Sequence, residues 1–261
     1  MYYVLSWGGL FFDAPHLATS PRQIPPVIRM HRHRSIAKFC YLCTMKPKVI
    51  IFDFDGTLCD TRKNIVIAFR ASMERLGLPV RSEDECAATI GLTLHDGFKA
   101  LYPEFSDAEA SHAVDTYREI FAERRKELMP SLFPHVCETL DTLYNNGYTL
   151  TIASSRLTDS LMLFMREHHI DHYFSYVVGS DSVVKHKPDA EPVLKTLDAL
   201  DIKVTDALVV GDMPVDILMA RSAGVCSVGV TWGNASREEL EAAKADWVVD
   251  DIIEVLNIVA R

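Results

Sequence analysis

The fold is decided by residues 49–58, which read Val-Ile-Ile-Phe-Asp-Phe-Asp-Gly-Thr-Leu. The four apolar residues at the start of this stretch predict a β-strand that is buried on both faces of a sheet. Side chains alternate along a strand, so Asp53 and Asp55 should project to the same side where the strand gives way to a turn at Gly56. Two adjacent carboxylates repel each other, and a Mg²⁺ ion would relieve that repulsion. The stretch therefore predicts a chemically active site at the end of this strand.

The composition fits a globular protein with a substantial hydrophobic core. The chain has 261 residues, of which 48% are hydrophobic, and its formal net charge is −9. This length allows one α/β domain with a smaller inserted domain. The negative charge argues against a nucleic-acid surface, because phosphate-binding proteins are usually basic over one face. No apolar run approaches the roughly 20 residues of a membrane helix, so we expect a soluble protein that binds neither nucleic acid nor membrane.

Six cysteines are scattered along the chain, at positions 40, 43, 59, 86, 137 and 226. A chain with this much core does not need a disulfide framework, so the pattern favours a reducing, cytoplasmic location. Cys40 and Cys43 have the spacing of a zinc ribbon, but neither a second cysteine pair nor a suitably spaced histidine pair follows them. We interpret the cysteines as incidental thiols.

Residues 1–44 differ in composition from the rest of the chain. They hold one acidic residue, five basic residues, four prolines and no sustained hydrophobic periodicity. A segment that buries little apolar surface cannot offset the entropy lost on ordering, about 1–2 kcal/mol per residue for the backbone. The residues that follow Met45 lead directly into the first strand, as a native start would. We therefore predict that residues 1–44 are a disordered extension or a mis-assigned start.

Strand and helix patterns alternate along residues 131–261. Besides the first strand, buried strands are predicted at residues 148–153, 176–178, 207–210, 226–230 and 247–249, with helices between them. This alternation predicts an α/β fold with a doubly wound, mainly parallel, Rossmann-like sheet and right-handed crossovers. In such sheets the active site lies beyond the carboxyl ends of the strands. The α/β core would comprise residues 45–61 and 131–261.

Residues 62–130 contain no convincing strand pattern and are predicted to form an inserted all-helical cap. Asp60 or Thr61 can cap the first helix of this insertion. Asp107 can cap a long helix that runs to about Leu128.

Two polar motifs follow predicted strands further along the chain. Ser154 comes directly after the second predicted strand, where a serine alone would be interpreted as a helix N-cap. Lys187 follows the third predicted strand, and Pro188 places a helix start just after it, because proline favours the first helical position. This argument selects Lys187 over the nearby Lys185, although a lone lysine at a helix start is more often a solvated surface charge.

A third motif, Gly211-Asp212-Met213-Pro214-Val215-Asp216, follows the strand predicted at residues 207–210. Pro214 can stand at the first helical position, so Asp212 and Asp216 should lie near one helix N-terminus. Asp212 alone would be interpreted as a helix cap.

Together with Asp-x-Asp-Gly-Thr at residues 53–57, these motifs resemble, in their order, those of the haloacid dehalogenase-like hydrolase superfamily. The chain is similar to the phosphoglycolate phosphatase-like branch, which carries a helical cap, over about residues 48–261. The resemblance implies a Mg²⁺-dependent phosphatase that hydrolyses a small phosphorylated metabolite, phosphoglycolate-like, through an aspartyl-phosphate. Residues 134–140 resemble the segment that re-enters the core in this branch, with His135 in place of the usual glycine.

The resemblance also implies catalytic roles. Asp53 would be the nucleophile, and Asp55 would protonate the leaving oxygen and then activate water. Ser154 and Lys187 would bind the transferring phosphoryl oxygens.

The implied Mg²⁺ ligands are Asp53, the backbone carbonyl of Asp55, Asp212 and, directly or through water, Asp216. Substrate contacts are expected from Gly56, Thr57, Ser155, Arg156 and Gly91. Gly91 lies in Ile90-Gly91-Leu92-Thr93, which breaks the helical pattern of the insertion. A plain inter-helix turn is an equal alternative for this break.

Other activities are left open by the sequence. Pyrophosphate is a credible substrate for this type of cap, and a β-phosphoglucomutase-like mutase would share all four motifs, although no sugar-binding arginine pattern is evident in the insertion. Dehalogenases of the superfamily lack the second acid, which is present here as Asp55. A non-catalytic binding module would normally have lost a nucleophile or metal ligand, and this chain keeps them. The protein would be a monomer or a homodimer.

Overall fold

The fold is built around a six-stranded sheet in a computed structural model that describes residues 46–260. In chain order the strands are β1 (Val49–Phe52), β2 (Cys59–Asp60), β3 (Ser131–Leu132), β4 (Thr149–Ala153), β5 (Phe174–Val178), β6 (Ala207–Gly211), β7 (Cys226–Val230) and β8 (Trp247–Val249). The helices are α1 (Arg62–Arg75), α2 (Glu83–Ala87), α3 (Leu94–Leu101), α4 (Asp107–Glu123), α5 (Val136–Asn145), α6 (Thr158–Glu167), α7 (Glu191–Leu200), α8 (Pro214–Ala223), α9 (Arg237–Ala242) and α10 (Glu254–Val259). The predictions for residues 1–44, for Cys40 and Cys43 and for a start at Met45 lie outside the described residues.

The strands of the main sheet are parallel and lie in the order β5-β4-β1-β6-β7-β8. The central strand β1 is fully buried. Because side chains alternate across a sheet, Ile50 and Phe52 join a hydrophobic cluster with α5, α6 and α10. Val49 and Ile51 join another cluster with α7 and α8. Helices thus cover both faces, and the predicted α/β fold with a doubly wound parallel sheet is confirmed.

The register of the sheet brings three strand ends together. Phe52 at the end of β1 is paired with Ile152 of β4 and with Val210 of β6. The polar residues that follow these strands therefore emerge side by side at the carboxyl edge of the sheet, where parallel α/β sheets bind ligands.

Helices α1 to α4 pack around a hydrophobic cluster of their own. Its centre is aromatic, with the ring centroid of Phe69 lying 4.9 Å from that of Phe98 and 5.1 Å from that of Tyr117. Residues 62–130 form helices and turns without a strand, as the sequence predicts. The boundaries of a separate cap domain stay a prediction. No helix within residues 46–260 is both long enough and apolar enough to cross a membrane.

The long helix α4 is capped by a residue other than the predicted one. Asp107 is its first residue, whereas the cap is Ser106, whose hydroxyl accepts a hydrogen bond from the backbone N–H of Glu109 at 3.3 Å. The Glu109 carboxylate accepts one from Ser106 N at 2.8 Å, which completes a capping box. The predicted end near Leu128 was wrong as well, because α4 ends at Glu123 and the chain continues in a turn.

The two chain segments that lead into and out of the insertion pair as short antiparallel strands, which the sequence does not predict. Cys59 of β2 lies opposite Leu132 of β3, and Asp60 lies opposite Ser131. Two-residue strands are too short to give a pattern of alternation. Neither residue predicted to cap α1 does so, since Asp60 belongs to β2 and the side chain of Thr61 makes no capping hydrogen bond.

His135, which replaces a glycine expected from the resemblance, has a left-handed backbone with φ of 60°. Glycine adopts this conformation without the steric cost that a Cβ introduces. The Nδ1 atom of His135 lies 2.7 Å from Oδ2 of Asp251, in the turn before α10. This hydrogen bond gives the histidine a compensating contact that glycine would lack.

Replacing His135 by alanine is expected to lower the free energy of unfolding by about 1 kcal/mol, because the strained φ is kept and the hydrogen bond is lost. Replacing it by glycine should be close to neutral, since relief of the strain offsets the lost bond. Urea denaturation of the two variants beside the parent chain measures both values. An alanine variant as stable as the parent would show that the hydrogen bond to Asp251 contributes nothing to stability.

Candidate active site

Three polar residues stand directly after the adjacent strands β1, β4 and β6. Asp53 follows β1, and its backbone N–H donates to the carbonyl of Val210 at 2.9 Å. Ser154 follows β4 and Asp212 follows β6. All three are buried. The structure thus brings together side chains that the sequence placed on separate strand ends.

Lys187 joins two of the carboxylates at this edge. Its Nζ donates to Oδ1 of Asp53 at 2.7 Å and to Oδ1 of Asp216 at 2.6 Å, and its side chain is only 3% exposed. Burial lowers the pKa of Lys187, but the two carboxylates raise it above its usual value, so the ammonium keeps its charge. Lys185, the alternative in the sequence, has a side chain that is 70% exposed.

Asp212 is held by hydrogen bonds from two segments. Thr57 Oγ1 donates to Oδ1 at 3.0 Å, while the backbone N–H and the Nδ2 of Asn234 donate to Oδ2 at 2.8 and 2.9 Å. Gly56 packs so closely that a Cβ there would lie 2.2 Å from Oδ2 of Asp212. Burial, followed by the charge of Asp216, raises the pKa of Asp212 to about 7.

The carboxylates of Asp53, Asp212 and Asp216 form a cluster whose oxygens lie within 4.8 Å of one another. Three carboxylates face the single ammonium group of Lys187, which leaves negative charge without a balancing cation. Burial also raises the pKa of Asp53 well above its usual value, against the opposing effect of Lys187. A buried, oxygen-only and electron-rich set of donors fits a hard divalent cation such as Mg²⁺.

Asp216 is engaged at both oxygens, since Oδ2 also accepts a hydrogen bond from Met213 N at 3.0 Å. This arrangement favours the outer, water-mediated version of its predicted metal role.

Asp55 is paired with a cation of its own. Arg156 donates to Oδ1 from Nη2 at 2.6 Å and to Oδ2 from Nε at 3.1 Å. The guanidinium carbon lies 4.6 Å from the ring centroid of Phe164 and 5.9 Å from that of Phe121. Burial lowers the pKa of Arg156, and Asp55 raises it above its usual value.

A metal at this edge was predicted from repulsion between Asp53 and Asp55, and this explanation was wrong. Asp53 and Asp55 are neutralised separately, by Lys187 and Arg156. The cluster that fits a cation instead joins Asp53 to the two aspartates after β6, and the Asp55 side chain is outside it. Metal ligation through the backbone carbonyl of Asp55 stays a prediction.

The residues predicted to contact substrate lie in different parts of the site. Ser155 Oγ donates to the carbonyl of Gly91 at 2.6 Å, which links the end of β4 to the turn before α3. Gly91 has φ of 95°, in the left-handed region that favours glycine. The hydroxyl of Ser154 accepts from the backbone N–H of Arg156 at 3.2 Å. Gly56 and Thr57 lie against Asp212, so their observed contacts are with the acidic cluster.

A cavity of about 660 Å³ lies between the helical insertion and these strand ends. Its floor includes Asp53, Asp55, Ser154 and Arg156, and Gly91 lies on its wall. A small molecule in this cavity would therefore meet the carboxylates, the hydroxyl and the guanidinium at one end.

The sequence model of the family described as haloacid dehalogenase-like hydrolase matches residues 50–230 of this chain. The chain belongs to the haloacid dehalogenase-like hydrolase family. The superfamily resemblance is thus confirmed, and the protein is a hydrolase.

Among curated relatives, the probable phosphatase IndB of Dickeya dadantii is 37% identical over 215 residues, which cover 82% of this chain and 93% of that protein. The pyrophosphatase PpaX of Bacillus mycoides is 30% identical, covering 83% and 99%. Among solved structures, a haloacid dehalogenase-like family protein named SP0104 from Streptococcus pneumoniae has a TM-score of 0.72 at 26% identity, covering 81% and 98%. A predicted phosphoglycolate phosphatase of Haemophilus somnus has a TM-score of 0.73 at 27% identity, covering 82% and 99%.

Two contributors to the site were missed in the sequence. Asn234 holds Asp212, and Trp232 Nε1 donates to the carbonyl of Thr57 at 3.1 Å. Both follow β7, the next strand beside β6 in the sheet. The sequence could have indicated them, because polar residues that follow a parallel strand lie at the same edge of the sheet as the other strand ends.

Proposed function

We propose that the protein is a Mg²⁺-dependent phosphatase that hydrolyses a phosphate monoester in two steps through an aspartyl-phosphate on Asp53. The observation that carries this proposal is the position of Asp53. Its carboxylate is buried at the end of β1, bonded to Lys187 and within the cluster of carboxylates that fits a cation. A carboxylate that attacks an anionic phosphoryl group needs positive charge beside it, and Lys187 supplies this charge.

In the first step, an oxygen of Asp53 attacks the phosphorus and the bond to the ester oxygen breaks. Asp55 gives a proton to the departing oxygen. In the second step, Asp55 takes a proton from water, the water oxygen attacks the phosphorus, and Asp53 is regenerated with release of inorganic phosphate. Arg156 contacts both oxygens of Asp55 and must give up one contact when that carboxyl carries a proton.

Lys187 and Ser154 would bind the phosphoryl oxygens during transfer. Lys187 also favours the ionised form of Asp53, whose pKa burial would otherwise raise further. Mg²⁺ would be held by Asp53, Asp212 and the backbone carbonyl of Asp55, with Asp216 outside, and would offset negative charge on the phosphoryl group.

The proposal is tested with the full chain and p-nitrophenyl phosphate. Release of p-nitrophenolate should require Mg²⁺, stop on addition of EDTA and resume when excess Mg²⁺ is restored. Acid quenching during turnover of ³²P-labelled substrate should leave label on the protein that hydroxylamine removes, as expected for an acyl phosphate. Absence of hydrolysis with Mg²⁺ present would reject the phosphatase, and turnover without labelled protein would reject the two-step route.

Two substrates have specific support. A phosphoglycolate-like ester is implied by the sequence resemblance and agrees with the name of the Haemophilus somnus protein. Pyrophosphate is supported by the names of the PpaX relatives. A mutase would share the same first half-reaction and would be recognised by transfer of phosphate between sugar hydroxyls.

We also propose a cytoplasmic protein, a monomer or homodimer, acting on a small phosphorylated metabolite. Cys59, Cys86 and Cys137 are free thiols. This agrees with a reducing compartment.

The affinity for Mg²⁺ is expected to rise with pH between about 6 and 8. Asp212, with its pKa of about 7, is largely protonated below that pH in the metal-free protein, so binding must release a proton. The dissociation constant should fall as the pH rises through about 7, by about tenfold per pH unit for each ligand carboxyl that loses a proton. Isothermal titration calorimetry in two buffers of different ionisation enthalpy measures the affinity and the protons released.

A matched variant sharpens this prediction. Thr57→Val removes a hydroxyl donor that stabilises the ionised Asp212, so the affinity curve should move to higher pH. An affinity for Mg²⁺ that is independent of pH in both proteins would contradict a titrating ligand at this position.

A further inference from the structure

Part of the wall of the cavity is apolar. It is formed by one face of α1 and one face of α4, with Ile65, Phe69, Val114, Tyr117 and Phe121 lining it. Phe69 and Tyr117 have ring centroids 5.1 Å apart, and Tyr117 and Phe121 have centroids 6.2 Å apart. An apolar group in the cavity would contact the small exposed parts of Phe69 and Tyr117, which are 2% and 4% exposed, and the half-buried Phe121.

The cavity is large compared with the smallest candidate substrates. Its volume of about 660 Å³ equals the share of roughly 20 liquid waters at about 30 Å³ each. It falls within the usual range for sites that bind drug-sized ligands, about 300–1,000 Å³. Phosphoglycolate or pyrophosphate, with about nine non-hydrogen atoms each, would fill less than half of it.

Each arginine that lines the cavity already has a carboxylate neighbour. Three arginines and four aspartates are among its lining residues, namely Arg118, Arg125, Arg156, Asp53, Asp55, Asp159 and Asp181. Arg156 Nη2 lies 2.6 Å from Asp55, Arg118 Nη1 lies 3.5 Å from Asp115, and Arg125 bonds to Glu167.

A second anionic group on the substrate would therefore have to compete with these carboxylates. To bind Arg156 it would have to displace the nearly buried Asp55, and near Arg118 or Arg125 it would meet the acidic partner of that arginine. Beyond the phosphoryl site, no lining arginine in the described chain offers a charge that a substrate carboxylate or second phosphate would neutralise. An uncharged group would avoid this competition and could pack on the exposed part of the apolar wall.

We propose that the substrate is a phosphate monoester whose leaving group is uncharged, apolar and ring-containing, in preference to phosphoglycolate or pyrophosphate. This inference rests on the proposed phosphatase function and adds the substrate class. The phosphoryl group would lie at Asp53 and Lys187, and the ring would lie against the residues of α1 and α4 that line the cavity.

The first test compares esters that differ in size but not in chemistry. Phenyl phosphate and 1-naphthyl phosphate have leaving phenols of similar acidity, so a difference in kcat/KM reports binding of the second ring. With the full chain and saturating Mg²⁺, the naphthyl ester should be favoured about tenfold, since its extra ring buries about 50 Å² more apolar surface. Both esters should exceed phosphoglycolate and pyrophosphate by at least about a hundredfold.

Higher kcat/KM for phosphoglycolate or pyrophosphate than for the aromatic esters would overturn the inference and leave the phosphatase function intact. An absence of phosphate release from every compound would instead reject the proposed function, and the inference with it.

A variant tests whether the preference for the naphthyl ester arises in the cavity. Ala122 is an exposed residue of α4 that lines the cavity, and Ala122→Phe would fill space beside the apolar wall. The naphthyl-to-phenyl ratio of kcat/KM should fall to about one. Ala108→Phe is the matched control, because Ala108 is an exposed residue of the same helix outside the cavity lining. The control should keep the parent ratio, and an equal change in both variants would contradict the proposed binding position.

Discussion

Replacing Asp53 by asparagine is expected to lower kcat by at least roughly four orders of magnitude, as for other covalent nucleophiles. An amide at this position is a far poorer nucleophile than a carboxylate, and it cannot form the acyl phosphate on which the proposed two-step route depends. The substitution keeps the size of the side chain, and Lys187 keeps its contact with Asp216. The fold should therefore survive, so that the measured loss reports chemistry.

Phosphate release under saturating Mg²⁺ measures this effect, with thermal unfolding as the check on folding. Asp198→Asn is a suitable control, since it makes the same chemical change at an exposed position of α7. Turnover of the Asp53 variant close to that of the control would remove Asp53 from the mechanism.

Replacing Lys187 by methionine is expected to lower the free energy of unfolding of the metal-free protein by about 3–5 kcal/mol, because the change leaves buried carboxylates without their cation. The loss should be smaller with Mg²⁺ present, since a bound cation restores part of the missing positive charge. Turnover should fall severely, because loss of Lys187 raises the pKa of Asp53 further and favours its protonated, non-nucleophilic form.

Urea denaturation in EDTA and in Mg²⁺ separates these contributions. Lys185→Met provides the control, as the Lys185 side chain is 70% exposed and its nearest carboxylate, that of Asp189, lies 3.9 Å away. Its effect on unfolding should stay within about 0.5 kcal/mol. Similar stabilities for the two lysine variants would show that the buried ion pairs at Lys187 contribute nothing to folding.

The central strand and the strand ends were predictable because they depend on local patterns. An apolar run of four residues needs no partner to be recognised as a buried strand, and parallel strands place their carboxyl ends at one edge. Lys187, and not Lys185, lies at these strand ends, but the reason given for selecting it was wrong. Pro188 does not open the next helix, which begins at Glu191 with Pro192 in its first turn.

Contacts between residues that are far apart in the chain could not be predicted from the sequence. Two aspartates two positions apart suggested mutual repulsion, and nothing local indicated that each would receive a separate cation. Lys187 is 134 positions from Asp53, and Arg156 is 101 positions from Asp55. The short pair of β2 and β3 was missed for the same reason, since its strands are defined by their pairing and not by a pattern along the chain.

The hydrogen bonds around Asp212 have a consequence for biosynthesis. Thr57, which is 155 positions before Asp212, and Asn234, which is 22 positions after it, both hold its carboxylate. A ribosome must therefore release Asn234 from its exit tunnel before the acidic pocket can take its final form. The growing chain carries its proposed nucleophile, Asp53, early but gains the complete acidic pocket only near the end of translation. Unfinished polypeptides should therefore have no phosphatase activity.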